Sequence, residues 1–428
     1  MLAEFPITQE IQLADWTQNM SRSVLRQMIA VVSRPGILSF AGGLPAPEFF
    51  PTADYAAAMA QVLATDPKAL QYGPPFAPLK QHIVQLMAQR GVECSEEQIF
   101  LTTGAQQGLD VLARLLLNPG GEVLMEEVVY TGVQQVVAPF RPHILTVSTD
   151  LEEGMNVEEV EAYLVRGLRP SGAAPAFIYT IPDAHNPLGV SLNPARRQWL
   201  VDLAVHYNVP IIEDDPYGFL QYGDWRLESE ILGYWDIGIL KDSNIPISQY
   251  PPLRALNDSH IFYLGSFSKI LAPALRLGWI VAPEYLIPKL TVVKEASDLE
   301  SSALVQRAVA AYLAAGHLPG HLAKLRLEYG RRRNTMLAAL YRYFPAEARW
   351  TEPKGGMFIW VELPEEVDTA VLLQTAVTQE KVAFIPGHAF AVPGHYAHNC
   401  LRLNFSNCCV ETIEEGIKRL GKIMNYEL

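Results

Sequence analysis

Basic residues are too few in this chain to make it a binder of nucleic acid or of an anionic membrane. Its 33 Lys and Arg face 46 Asp and Glu, a formal net charge of −13, and the counterion-releasing basic face that such partners need is missing. Cysteine is scarce as well. Cys94, Cys400, Cys408 and Cys409 show no metal-ligand spacing, so no metal is expected. The adjacency of Cys408 and Cys409 suits reduced thiols in a cytosol better than a disulfide framework. Long apolar runs are also absent: even Ala303 to Leu318 is interrupted by Gln306, Arg307 and His317, so no transmembrane helix is expected. The start, Met1 to Pro6, lacks the basic end and apolar core of a signal peptide. No internal repeat or low-complexity tract is present. The expectation is a soluble cytoplasmic protein with neither nucleic-acid nor membrane partners.

What the chain does have is length and an ordinary apolar content. At 428 residues and 49% hydrophobic it exceeds one simple core, and two domains are expected. From 51 to 305 helix and strand patterns alternate. Helical periodicity marks Ala53–Leu63, Leu79–Arg90, Ala105–Leu117, Val157–Arg166 and Pro194–Tyr207. Short apolar strands read at Ile99–Leu101, Glu122–Met125, Ile144–Val147, Ala176–Ile181, Val209–Ile212, Ile261–Leu264 and Leu277–Val281. Near-continuous apolar strands between helices imply a mostly parallel seven-stranded sheet covered on both faces, an α/β domain. From 306 to 428 two helical stretches (Leu304–Ala315 and Leu322–Tyr343) precede strands at Met357–Glu362, Val382–Ile385 and Leu401–Phe405 and a last helix over Val410–Ile423, a smaller α+β domain. Residues 1–50 are too short to fold alone and are expected to pack on that smaller domain as an arm. Residues 223–252, with Trp225, Tyr234 and Trp235 and no clear period, read as a surface excursion with its own apolar cluster.

The chemistry concentrates at strand ends. Lys269 follows the apolar run Ile261 to Leu264, with Ser266 and Ser268 just before it and Arg276 seven residues after. A lysine that forms a Schiff base with pyridoxal phosphate needs such a setting, because hydroxyls and a guanidinium must neutralise the nearby phosphate dianion. Asn186-Pro187 follows the strand at Ala176–Ile181, and Asp214-Asp215-Pro216-Tyr217 follows the strand at Val209–Ile212. In open α/β sheets this carboxyl edge is where ligands bind. The helix opening at Gly104-Ala105-Gln106 adds an anion site, since glycine permits close approach and free amides point at a phosphate.

The motifs Phe40-Ala41-Gly42-Gly43-Leu44-Pro45, Gln71-Tyr72-Gly73, Thr103-Gly104-Ala105-Gln106-Gln107-Gly108, His185-Asn186-Pro187-Leu188-Gly189, Glu213-Asp214-Asp215-Pro216-Tyr217, Gly265-Ser266-Phe267-Ser268-Lys269 and Leu401-Arg402-Leu403-Asn404-Phe405 span nearly the whole chain. By them the sequence resembles the fold-type I pyridoxal-phosphate aminotransferases of the aspartate aminotransferase superfamily, most of all the α-aminoadipate/kynurenine branch. The resemblance implies the pyridoxal-phosphate-dependent transferase fold and assigns roles. Lys269 would bind the cofactor covalently and then move a proton at the substrate α-carbon, and Asp214 would pair with the ring nitrogen. Asn186 and Tyr217 would hydrogen-bond the ring hydroxyl oxygen, and Tyr130 would stack on the ring. Ala105 and Gln106 (through their amides), Ser266, Ser268 and Arg276 would bind the phosphate. Tyr72 resembles the tyrosine that reaches the phosphate of the neighbouring subunit, which implies a homodimer with shared active sites. Arg402 would clamp the substrate α-carboxylate, with Gly43 leaving room on the substrate side.

Two features depart from the family pattern. Ala105 stands where many relatives carry serine, and the 223–252 excursion is longer than the family link. The implied partners are an amino acid and a 2-oxo acid such as 2-oxoglutarate, exchanged in a ping-pong cycle. Cofactor motifs alone do not separate this reading from a lyase that uses the same cofactor. A non-enzymatic aminotransferase-like sensor fused to a winged helix is disfavoured by the short stretch before Phe40 and by the acidic balance.

Overall fold

The structure, a computed structural model, describes residues 11, 13–17, 36–166, 174–223 and 250–427. Seven apolar segments pair into one sheet: β1 (Ile99–Thr102), β2 (Glu122–Glu126), β3 (His143–Val147), β4 (Phe177–Thr180), β5 (Ile211–Asp215), β6 (Ile261–Ser266) and β7 (Gly278–Val281). Their spatial order is β1-β7-β6-β5-β4-β2-β3. β7 runs antiparallel to both neighbours, and every other pairing is parallel. The mostly parallel seven-stranded α/β sheet expected from the sequence is therefore present.

Strand periodicity decides which side chains face which layer. On one face Val123, Phe177, Tyr179, Ile212, Phe262 and Ile280 pack with Leu109 and Leu112 of the helix Ala105–Leu116. On the other, Leu124, Ile178, Ile211 and Ile261 meet Val160, Leu164, Leu200 and Val201 from the helices Val157–Arg166 and Pro194–His206. Beyond β7 lie the helices Ala303–Ala314 and His317–Tyr343 and a four-stranded sheet built from Arg349–Trp350, Phe358–Glu362, Ile385–Pro386 and Cys400–Asn404. Leu38–Ser39 pairs in parallel with Val382–Ala383, outside that sheet.

Several boundaries differ from the expectation for identifiable reasons. β5 does not stop at Ile212 but runs through Glu213, Asp214 and Asp215, all buried. A hydrophobicity pattern ends a strand at its first acid. Here each acid has partners far along the chain, so burial is compensated. The helix expected from Leu322 begins at His317, because Pro319 sits in its first turn, where no amide donor is lost. The single strand expected at Val382–Ile385 divides between two sheets at Phe384. A helix at Ile287–Asp298 was not anticipated. Most of the excursion expected at 223–252 lies outside the described residues, as does much of the N-terminal arm.

One packing contact anchors β7 beneath the site. Trp279 is buried against Phe267 with ring centroids 5.0 Å apart, and its indole N–H donates to Met87 Sδ at 3.4 Å. Trp279→Ala is expected to cost about 3–5 kcal/mol through lost burial and a residual cavity. The measurement is the urea unfolding midpoint at unchanged slope, and a wild-type midpoint would show the indole to be dispensable.

Candidate active site

The site forms where β4, β5 and β6 end and the four-stranded sheet approaches. Lys269 lies three residues beyond β6, and its ammonium donates to the carbonyl of Gly43 at 2.8 Å. Burial first, then the charges of Arg402 and Arg276, pulls its pKa down to about 8. Asp214 points from β5 to the face that carries Ile212 and Tyr179. Its Oδ2 accepts from the Tyr179 hydroxyl at 2.8 Å, whereas Oδ1 is buried with no partner. Burial raises its pKa to about 7 against the pull of that hydrogen bond, and the neighbouring Asp215 adds to the rise.

Arg402 closes the opposite side. It stands on the central strand Cys400–Asn404, so its side chain is fixed at the root and fully buried. Nη1 donates to Asn186 Oδ1 at 2.8 Å and Nη2 to the Ala41 carbonyl at 2.9 Å, and Nε has no partner. Its guanidinium sits 4.1 Å from the ring centroid of Phe358 and 4.7 Å from that of Phe390, a cation in contact with two π faces. Burial lowers its pKa to about 10. Tyr217 is buried with its ring edge-on to Phe358, and burial pushes its phenol well above the ordinary value. A β-carbon on Gly43 would stand 3.4 Å from Phe358 and 3.9 Å from Arg402 Nη2. Gly189 has φ +72°, and a β-carbon there would meet the Phe358 carbonyl at 2.5 Å. This glycine therefore lets the loop carrying Asn186 lie against the strand carrying Phe358.

The anion end is assembled from three segments. Gly104 precedes the helix Ala105–Leu116 with φ +82°, and the amides of Ala105 and Gln106 open the first turn, where no intrahelical acceptor exists. Arg276 donates from Nη2 to the Thr103 carbonyl at 3.3 Å. Its guanidinium lies so close over Gly104 that a β-carbon there would be 2.6 Å away. Ser266 Oγ accepts from the Ser268 amide at 3.1 Å. The Tyr130 hydroxyl donates to Gln106 Oε1 at 3.1 Å, which ties this aromatic to the helix start.

The structure thus brings together Lys269, Gly43, Arg402, Asn186 and Tyr217 on one side and Ala105, Gln106, Tyr130, Ser266, Ser268 and Arg276 on the other. Tyr72 does not join them within one chain and is 79% exposed. Sequence reasoning missed Tyr179, Phe358 and Phe390. Their one signal was aromatic character within strands or loops that read as core.

These residues fit pyridoxal phosphate. An unpartnered buried carboxylate oxygen suits a ring N–H, a lysine amine of depressed pKa suits a carbonyl, and a helix start beside a guanidinium suits a phosphate.

Sheet order, chain reversal at β7 and this edge define an α/β transferase of the pyridoxal-phosphate-dependent type. Comparison with known proteins makes the assignment narrower. The chain matches the family model "Aminotransferase class I and II" over residues 44–420 and belongs to that family. It is 37% identical over 418 residues to aromatic-amino-acid aminotransferase 1 of Thermococcus litoralis, covering 96% of this chain and 93% of the relative. The kynurenine aminotransferase of Pyrococcus horikoshii, solved in complex with PMP, superposes with a TM-score of 0.85 at 35% identity, over 97% of each chain. The α-aminoadipate aminotransferase of Thermus thermophilus, solved with N-(5'-phosphopyridoxyl)-L-leucine, has a TM-score of 0.81 at 33% identity, again over 97% of each chain. The protein is an aminotransferase, and its cofactor is pyridoxal phosphate. No helix among the described residues is long and apolar enough to cross a membrane.

Proposed function

We propose that this aminotransferase takes the amino group of an L-amino acid of the 2-aminoadipate, aromatic, kynurenine or leucine-like type. It passes that group to a 2-oxo acid such as 2-oxoglutarate in two half-reactions. The observation that carries the reading is one cluster in which Lys269, with its depressed pKa, donates to the Gly43 carbonyl while the buried Arg402 donates to the Ala41 carbonyl of the same segment and to Asn186. When bound, pyridoxal phosphate supplies an electrophilic carbonyl and an electron sink for charge left at the α-carbon.

The chain's own groups do the rest. Lys269 holds the cofactor and then takes and returns a proton at the α-carbon of the substrate. Asp214 keeps the ring nitrogen protonated through its free Oδ1, while Tyr179 fixes the other oxygen. Asn186 and Tyr217 hydrogen-bond the ring hydroxyl, and Tyr130 stacks on the ring. The amides of Ala105 and Gln106 bind the phosphate together with Ser266, Ser268 and Arg276, and the partner subunit's Tyr72 reaches it in a homodimer with shared sites. Arg402 orients the α-carboxylate, and Gly43 leaves that volume open. The same reading divides the chain into an arm (1–50), a cofactor-binding domain (51–305) and a smaller domain (306–428). The Leu38–Ser39 pairing with Val382–Ala383 supports it. A cytoplasmic location is supported by the free thiols of Cys94, Cys400, Cys408 and Cys409.

The test is a half-reaction screen. Purified holoenzyme is mixed with single amino acids, and conversion to the pyridoxamine form with release of the matching keto acid is recorded. Donors from the named classes are expected to convert within one turnover. Release of pyruvate and ammonia without the pyridoxamine form would overturn transamination in favour of elimination.

A further inference from the structure

Behind β5, on the face away from Asp214, lies a buried ionic cluster that the proposed chemistry leaves unused. Arg90, just past the helix Ala77–Gln89, donates from Nη2 to Asp183 Oδ2 and to Asp215 Oδ2, both at 2.7 Å. Its Nη1 donates to the Gly218 carbonyl at 3.1 Å. Arg197 Nη2 holds the other oxygen of Asp183 at 2.6 Å. Asp215 also accepts from the Tyr263 hydroxyl at 2.9 Å and from the Gly218 amide at 2.6 Å. The four charged side chains have almost no solvent contact.

The placement gives this cluster its meaning. Asp183 lies three residues before Asn186, and Asp215 stands between Asp214 and Tyr217 in sequence. One guanidinium therefore grips both segments that carry the ring contacts, across 93 and 125 residues of chain. We infer that Arg90 is a positioning residue of the active site: it locks the Asn186 segment to the end of β5 and balances the Asp215 charge directly behind Asp214. The inference rests on the proposed cofactor role of Asp214.

The charge balance is specific. Arg90 and Arg197 offset Asp183 and Asp215, while burial raises Glu213 to about 8 against the pull of the Leu253 and Arg254 amides. Asp215 is faced by Arg90, Tyr263 and Glu213, with Asp183 and Arg197 next in the cluster. Asp214 is faced by Tyr179, Tyr217 and Asp215, with Tyr130 beside the two tyrosines. Across the site stand Arg402, next to Tyr217, and Lys269. Removing Arg90 alone leaves one uncompensated buried anion next to Asp214, which strengthens proton binding throughout the site. Removing the Asp215 charge alone leaves an extra cation, with the opposite sign.

The experiment titrates the visible absorption of the bound cofactor in the holoenzyme against pH. R90Q is expected to move the midpoint up by about one unit and D215N to move it down by about one. R90Q/D215N is expected to return near wild type, and R90K to stay there. A merely structural role would leave the midpoint in place or move both single variants the same way, and either result overturns the inference. If R90Q does not fold, D215N and the double variant decide, and a D215N midpoint at or above wild type overturns it. Failure of the underlying reading looks different: D214N would then leave the visible band and its midpoint as in wild type.

Discussion

Lys269→Ala is expected to lower turnover by roughly 10⁴-fold or more and to remove the covalently held cofactor, while the fold survives. The wild-type amine lies against the Gly43 carbonyl with its pKa pulled down to about 8. Near pH 8 a much larger share of it is therefore the neutral nucleophile than in an ordinary lysine, whose pKa lies near 10.4. In the proposed function the same neutral amine is also the base that moves the proton at the α-carbon, so one substitution would remove two functions. The Gly43 carbonyl, facing the truncated side chain, is left to solvent or substrate at small structural cost. The checks are borohydride trapping of the cofactor on the Lys269 peptide and single-turnover rates with an amino-acid donor. A mutant that traps cofactor and turns over at the wild-type rate would remove Lys269 from its assigned role.

Arg402→Ala is expected to cut kcat/KM by roughly 10²–10³-fold for amino acids and for keto acids alike, with the cofactor still bound. Among the described residues no carboxylate pairs with this guanidinium. Two of its nitrogens are committed to Asn186 and the Ala41 carbonyl, and two aromatic rings hold its plane. In the proposed function a substrate carboxylate would supply the missing anion to a cation already stripped of water and fixed in orientation, the condition under which a charge pair contributes most. Arg402→Lys is expected to recover little, because an ammonium cannot form the two-pronged pair or stack on Phe358 and Phe390. Steady-state kinetics in both directions measure it. A loss confined to one substrate class would contradict a shared carboxylate clamp.

The overall architecture was largely legible because parallel strands covered on both faces are written as uninterrupted apolar runs. Ile261 to Leu264 and Glu122 to Met125 read as strands without reference to anything distant, and both are strands. Lys269 and Asn186 were placed correctly beyond their strand ends for the same reason. β5 shows where such reading stops. Its last three residues are acids, and besides the nearby Gly218 amide it is the distant Arg90, Tyr263, Tyr179 and the amides of Leu253 and Arg254 that make their burial tolerable. A local pattern carries no trace of partners that far away.

By itself, the sequence determined the α/β layering, the family and the chemical types present: a lysine after a strand, acids at a sheet edge, a glycine before a helix and an arginine in a late strand. These follow from short-range periodicity and from motifs that keep their spacing. Only the tertiary structure decided how those groups act on one another. It brought Arg402 to Asn186 across 216 residues, left one oxygen of Asp214 free while Tyr179 held the other, and lowered the proton affinity of Lys269. Charge, burial and hydrogen-bond geometry depend on distances in space and on excluded water, and the order of residues along a chain specifies these only after it has folded.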